Sequence, residues 1–138
     1  MKKLVSLSLL IIISGCSLIT DEYQDNQRKV IDYLLGDVPM PEDAEIIQFP
    51  TAIQGTGQNV SGRIVLSSQD SPAENLIFYD TQAPIAGWML VSSKAGEEVV
   101  LVYEKGNRVI SINMVPRNTF AGFFKGDVGS IIDISLKN

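Results

Sequence analysis

Chemistry performed by side chains needs groups that ionise, attack or ligate near neutral pH, and this chain of 138 residues has few of them. It contains no histidine and a single cysteine, Cys16. A Ser–His–Asp triad, a Cys–His nucleophile, a Cys/His zinc site and an internal disulfide are therefore excluded by composition. The carboxylate pairs Asp21-Glu22, Glu42-Asp43 and Glu97-Glu98 are neighbours in sequence. Such neighbours point apart on a turn or strand, whereas acid–base catalysis needs two carboxylates facing one cleft with separated pKa values. Calcium binding by Asp21, Glu22 and Asp25 would need further oxygen ligands in a loop whose signature is absent. Gly57-Gln-Asn-Val-Ser-Gly62-Arg63-Ile64 has the glycine spacing of a phosphate loop, but Arg63 stands for its lysine and Ile64 for its hydroxyl. A strand pattern follows where the helix should begin. No Ser-x-x-Lys spacing offers a lysine base. The expectation is a protein that is not an enzyme and uses no metal or cofactor.

The one residue whose covalent chemistry the sequence specifies is Cys16. Lys2 and Lys3 form a positive start, Leu4 to Ile13 a short apolar run, and Ser14-Gly15 a small-residue approach to the cysteine. The apolar run is too short to span a bilayer, which takes about 20 residues, and has the layout of a secretory leader. Ile13-Ser14-Gly15-Cys16 resembles the lipobox of bacterial lipoproteins. The resemblance implies a diacylglyceryl group on the Cys16 sulfur and cleavage before Cys16. The new amino group would then take a fatty acyl chain such as palmitate. A thiol is needed because the thiolate is the nucleophile. Several acyl chains hold far more firmly than one, each buried methylene adding about 0.8 kcal/mol. Ser17 in place of aspartate at the second mature position resembles the outer-membrane sorting pattern. The implied place is the periplasmic face of a cell outer membrane, with an inner or Gram-positive membrane as the alternative.

On this reading residues 1–15 are a signal peptide, 16–36 a lipidated tether with a short helix, and 37–138 a single domain. Cleavage leaves 123 residues, and without Lys2 and Lys3 the charge is 9 basic against 16 acidic side chains, a net −7. So acidic a chain lacks the electrostatic footprint for nucleic acid or for charge-driven headgroup binding. It favours basic or protein partners.

Aromatic residues supply the candidate contact points. Phe120, Phe123 and Phe124, three of the five phenylalanines, lie within Asn118-Thr-Phe-Ala-Gly-Phe-Phe-Lys-Gly126. Aromatic anchors in loops carry much of interface energetics. They either dock another envelope protein, dip into lipid, or fold back to close the core. Trp88, after Gly87, is a core anchor or a stacking platform for a ligand.

The elements that must position these residues follow from periodicity. Tyr23, Gln27, Val30 and Leu34 recur at helical spacing before Gly36, which predicts a short helix packed on its own domain. Asp37-Val-Pro-Met-Pro enforces an extended link. Strands are predicted over Glu45–Phe49 and Val60–Ser67. Ser71-Pro72-Ala73-Glu74 is a capping box with proline at the first helical position, predicting a helix to about Ala83 that buries Leu76, Ile77 and Tyr79. Strands over Trp88–Ser93, Val99–Glu104, Arg108–Val115 and Ser130–Leu136 follow, with Gly106-Asn107 as a tight hairpin turn. The fold class is α+β: one antiparallel sheet of about six strands covered by a helix.

The stretch from Ser71 to Glu104, a capped helix ending in Gly-Trp and then two strands, is similar to helix-grip domains, which occur in a lipoprotein subunit of the outer-membrane barrel-assembly machinery. Together these readings point to a non-catalytic structural or accessory subunit of an envelope assembly or secretion machine. The alternative is a small periplasmic binding module for a small molecule, a glycan or a foreign enzyme. Its pocket would lie between the Pro72 helix and the sheet, lined by Trp88 and Tyr79.

Overall fold

The computed structural model describes residues 25–138, apart from 26, 30, 33–34, 48–50, 56–58 and 118–128. Helical residues within 25–35 form α1. They are followed by β1 (Glu45–Ile46), β2 (Ala52–Gln54), β3 (Ser61–Ser68), α2 (Pro72–Ile85), β4 (Met89–Lys94), β5 (Val99–Lys105), β6 (Arg108–Pro116) and β7 (Ser130–Lys137). The strands make one sheet in the order β1-β3-β7-β6-β5-β4, with β2 also pairing β3. Every pairing is antiparallel, as the short turns of β4–β5 and β5–β6 require for those two. The expected α+β architecture, one open antiparallel sheet with a helix packed on it, is the architecture found.

Period-two alternation decides which face is buried. Ile64 and Leu66 on β3, Ile132, Ile134 and Leu136 on β7, Ile110, Ile112 and Met114 on β6, and Val99, Leu101 and Tyr103 on β5 form one core. The opposite face of the sheet carries Arg63 and Asp133, which form an ion pair across β3 and β7. Helices cover only the apolar face, so the two faces differ in kind.

α1 joins the core through Ile31 and Leu35, both 2 % exposed. The stripe expected at Tyr23, Val30 and Leu34 falls on residues outside those described. The Arg28 guanidinium donates to the Pro41 and Ala44 carbonyls at 3.0 and 2.7 Å, tying the start of α1 to the chain that leads into β1. α2 opens on the full capping box: the Ser71 hydroxyl accepts from the Glu74 N–H, and the Glu74 carboxylate accepts from the Ser71 N–H. Its buried residues are Asn75, Tyr79 and Ala83, while Ile77 is 67 % exposed. The helix is thus rotated from the sequence expectation, and it continues through Pro84 to Ile85. β2, too short for alternation to reveal, lies against Gly62, where a Cβ would meet the Ile53 Cα at 2.7 Å.

One core group is out of place. Tyr79 is fully buried, its hydroxyl has no hydrogen-bond partner among the described residues, and burial pushes its pKa well up. A buried donor left unpaired costs about 1–3 kcal/mol. Tyr79→Phe is therefore expected to leave stability unchanged or raise it by up to about 1 kcal/mol, read from urea denaturation midpoints. A clear loss would mean that the hydroxyl has a partner in solution.

Candidate functional site

The helix C-terminus of α2 ends in a turn that fixes one side chain. The Gly87 N–H donates to the Pro84 carbonyl and the Trp88 N–H to the Ala83 carbonyl, both at 3.0 Å, and Gly87 has φ +89°. This is the paired bonding of a Schellman ending, which favours glycine at the left-handed position and packs the next residue back on the helix. Trp88 is thereby driven into the core at 2 % exposure. Trp88 and Tyr79, expected to line a pocket between α2 and the sheet, both belong to the buried core cluster.

What the surface shows is the layer laid over Trp88. Lys105 and Arg108 flank the Gly106-Asn107 hairpin and pair directly with each other across it. Strand alternation puts both on the core-facing side, in line with Tyr103 and Ile110. The Lys105 Nζ lies 5.8 Å, and the Arg108 Cζ 5.1 Å, from the indole centroid, within cation–π range. The Asp37 carboxylate bridges them: it accepts from Lys105 Nζ at 2.8 Å and from Arg108 Nη1 and Nη2 at 2.6 and 3.1 Å. The Asp37 carbonyl accepts the Trp88 indole N–H at 2.6 Å. Lys105 also donates to the Ala86 carbonyl at 2.8 Å, supplying a cation at the C-terminus of a helix that has no basic residue in its own last turn. Asp37, Lys105, Gly106, Asn107 and Arg108 line an open cleft of about 350 Å³.

Arg108's hydrogen bonds to Asp37, joined by those of Lys105, outweigh the cost of partial burial and hold the carboxyl at about 2 against a usual 3.8. A carboxyl depressed in the folded state contributes stability above its unfolded pKa and loses it as pH falls toward the folded value. The contribution is complete above pH 3.8 and disappears as pH falls toward about 2. Asp37→Asn is expected to cost about 1–2 kcal/mol at pH 7, discounted because the cluster is partly open to water, and almost nothing at pH 2. Thermal unfolding of both proteins at the two pH values reads this directly. An equal loss at both would show that charge plays no part.

Two further features stand at the other end and edge of the sheet. The Arg117 N–H donates to the Gly129 carbonyl at 2.7 Å, closing the base of the connection between β6 and β7, and Arg117 Nη1 reaches Ser67 Oγ at 2.9 Å. Phe120, Phe123 and Phe124 belong to that connection, and they, with Cys16, lie outside the described residues. β4 forms one edge of the sheet, with all six residues exposed, including Met89 at 66 %, Leu90 at 44 % and Val91 at 52 %.

Among the described residues no group of His, Cys, Asp and Glu could hold a metal ion, and no helix is long and apolar enough to cross a membrane. No protein-family model, curated protein or solved structure matches the chain.

Proposed function

We propose that this chain is a lipoprotein, anchored through Cys16, that serves as a non-catalytic docking subunit of an envelope assembly. The bare edge strand β4 carries the reading. Free strand edges template pairing with other chains, and proteins that keep them unpaired usually blunt them with proline, inward charges or covering loops. Here the edge offers Met89, Leu90 and Val91 and only one charge, Lys94 at its end, with a single bulge between Leu90 and Ser92. Addition of a partner's extended segment to such an edge is a common recognition mode, with main-chain bonds giving affinity and side chains specificity. The lipobox-like Ile13-Ser14-Gly15-Cys16 supports the anchor, and the absence of histidine, with no metal-type cluster among the described residues, supports holding over catalysis.

The test is affinity purification of the acylated protein, at native expression, after gentle solubilisation. A stoichiometric envelope partner is expected with the wild type, and Leu90→Lys should lose it while leaving the protein folded. Cys16→Ser should move the protein from the membrane to the soluble fraction. Recovery of the wild type only as a lone monomer would overturn the docking reading. Membrane retention of Cys16→Ser would overturn the anchor.

A further inference from the structure

We infer that the cleft formed by Asp37, Lys105 and Arg108 over Trp88 binds a small oxyanion of the phosphate type, carried by a soluble molecule.

Charge comes first. Two cations share one carboxylate, so the cleft has a formal charge of +1 in a chain whose net charge is −5. Lys105 and Arg108 together offer eight N–H donors. Four hydrogen bonds use them, three to Asp37 and one to the Ala86 carbonyl. Two carboxylate oxygens cannot saturate that set, and one of the remaining donors, Arg108 Nε, is buried with no partner among the described residues. An arginine fork beside a lysine suits an oxyanion that accepts several bonds at once.

Preorganisation comes second. Free lysine and arginine side chains lose rotamer entropy when they grip a ligand. Here both are already laid on the Trp88 ring and bonded to Asp37 or Ala86, so that cost falls on folding and not on binding. Asp37 acts as a resident competitor for the same donors. The cleft volume of about 350 Å³ exceeds what one phosphate needs, which leaves room for the body that carries it.

Position sets the source. Arg28, near the start of α1, bonds to Ala44, next to the Glu45–Ser67 pair, whereas Asp37, just past its end, bonds to the Lys105–Arg108 hairpin. α1 therefore points along the sheet from its Ser67 end toward the Lys105–Arg108 hairpin, its helical residues within 25–35 rising about 16 Å. On the reading that Cys16 is anchored, the anchor precedes the start of α1 in the chain, and the cleft lies at the other end of that helix. That end of the helix favours a soluble oxyanion over a headgroup of the same membrane as the source.

The chain has one tryptophan, so its emission reports the cleft directly. Inorganic phosphate is titrated into the full chain at constant ionic strength, with chloride as control, while Trp88 fluorescence and Tm are followed. A saturable change with phosphate and a rise in Tm are expected, because a ligand that binds only the folded state stabilises it. Lys105→Gln should weaken binding about tenfold or more, and Asp37→Asn should tighten it about tenfold by removing the competitor. The ligand-free Tm of Asp37→Asn falls on either reading, so the phosphate response decides: a purely structural clasp predicts no gain in it. Equal responses to phosphate and chloride, in the wild type and in Asp37→Asn, would overturn the site. A response to vesicles of anionic phospholipid without one to free phosphate would overturn the soluble source, while leaving the Cys16 anchor, tested by fractionation, untouched.

Discussion

Trp88→Ala is expected to cost about 3–5 kcal/mol of folding stability in chemical denaturation, enough to remove a large part of a small domain's margin. Deleting a buried indole forfeits its transfer free energy and leaves a cavity that rigid surroundings fill only in part. The surroundings are rigid here: Trp88 sits immediately after the Schellman turn of α2, is 2 % exposed and joins the core cluster. Three connections fail with it. The Asp37 carbonyl loses its N–H donor, Lys105 and Arg108 lose the ring beneath them, and the exit of α1 loses its seat. Trp88→Phe separates these contributions. It keeps a ring for the cations and most of the volume, and drops the indole N–H. A loss of about 1–2 kcal/mol is expected. A loss below about 1 kcal/mol for Trp88→Ala would show that the ring is not seated as described.

The sequence made much of this scaffold legible and left its surface chemistry hidden. The capping box from Ser71 to Glu74, the Gly106-Asn107 hairpin and the alternation of Ile110, Ile112 and Met114 are local signals, and each stands where local physics placed it. The rotation of α2 was not legible. Apolar residues occur around much of that helix, so hydrophobicity could not set its phase. The polar anchorage of Asn75 and the Gly87-Trp88 ending do so, exposing Ile77. β2 has three residues, too few for a period to appear. The clasp left one signal in the sequence. Lys105 and Arg108 continue the core-facing parity of Tyr103 and Ile110, and two cations there demand a counter-charge. Their partner Asp37 lies 68 and 71 residues away, and no local pattern spans that distance.

Asn75→Ala carries the second large expected effect, about 2–3 kcal/mol, because it breaks a buried polar junction whose members cannot all find new partners. Asn75 is 1 % exposed, and the two N–H groups of its Nδ2 are shared among Ser68 Oγ at 3.1 Å, Ser130 Oγ at 2.7 Å and the Asp70 carbonyl at 3.2 Å. Ser68 and Ser130, both fully buried, are paired residues of β3 and β7, so one amide fastens the first turns of α2 to two strands. Ser130 Oγ donates to the Asp70 carbonyl at 2.7 Å, and the Ser68 hydroxyl accepts from the Asp70 N–H at 3.1 Å. Removing the amide strands polar groups in the core, which costs more than the bonds themselves were worth. Removing the whole set should cost less. Asn75→Leu combined with Ser68→Ala and Ser130→Ala replaces the three buried polar side chains by apolar ones, leaves the backbone of the exposed Asp70 to water, and is expected to be more stable than Asn75→Leu alone. If the triple variant is no better, the loss comes from shape and not from stranded polarity. Amide exchange at Ser130 and Ile131 gives the local readout. Asn75→Ala should speed it, because β7 begins beside the closed base at Arg117 and Gly129, and this junction holds that end of the strand to the helix.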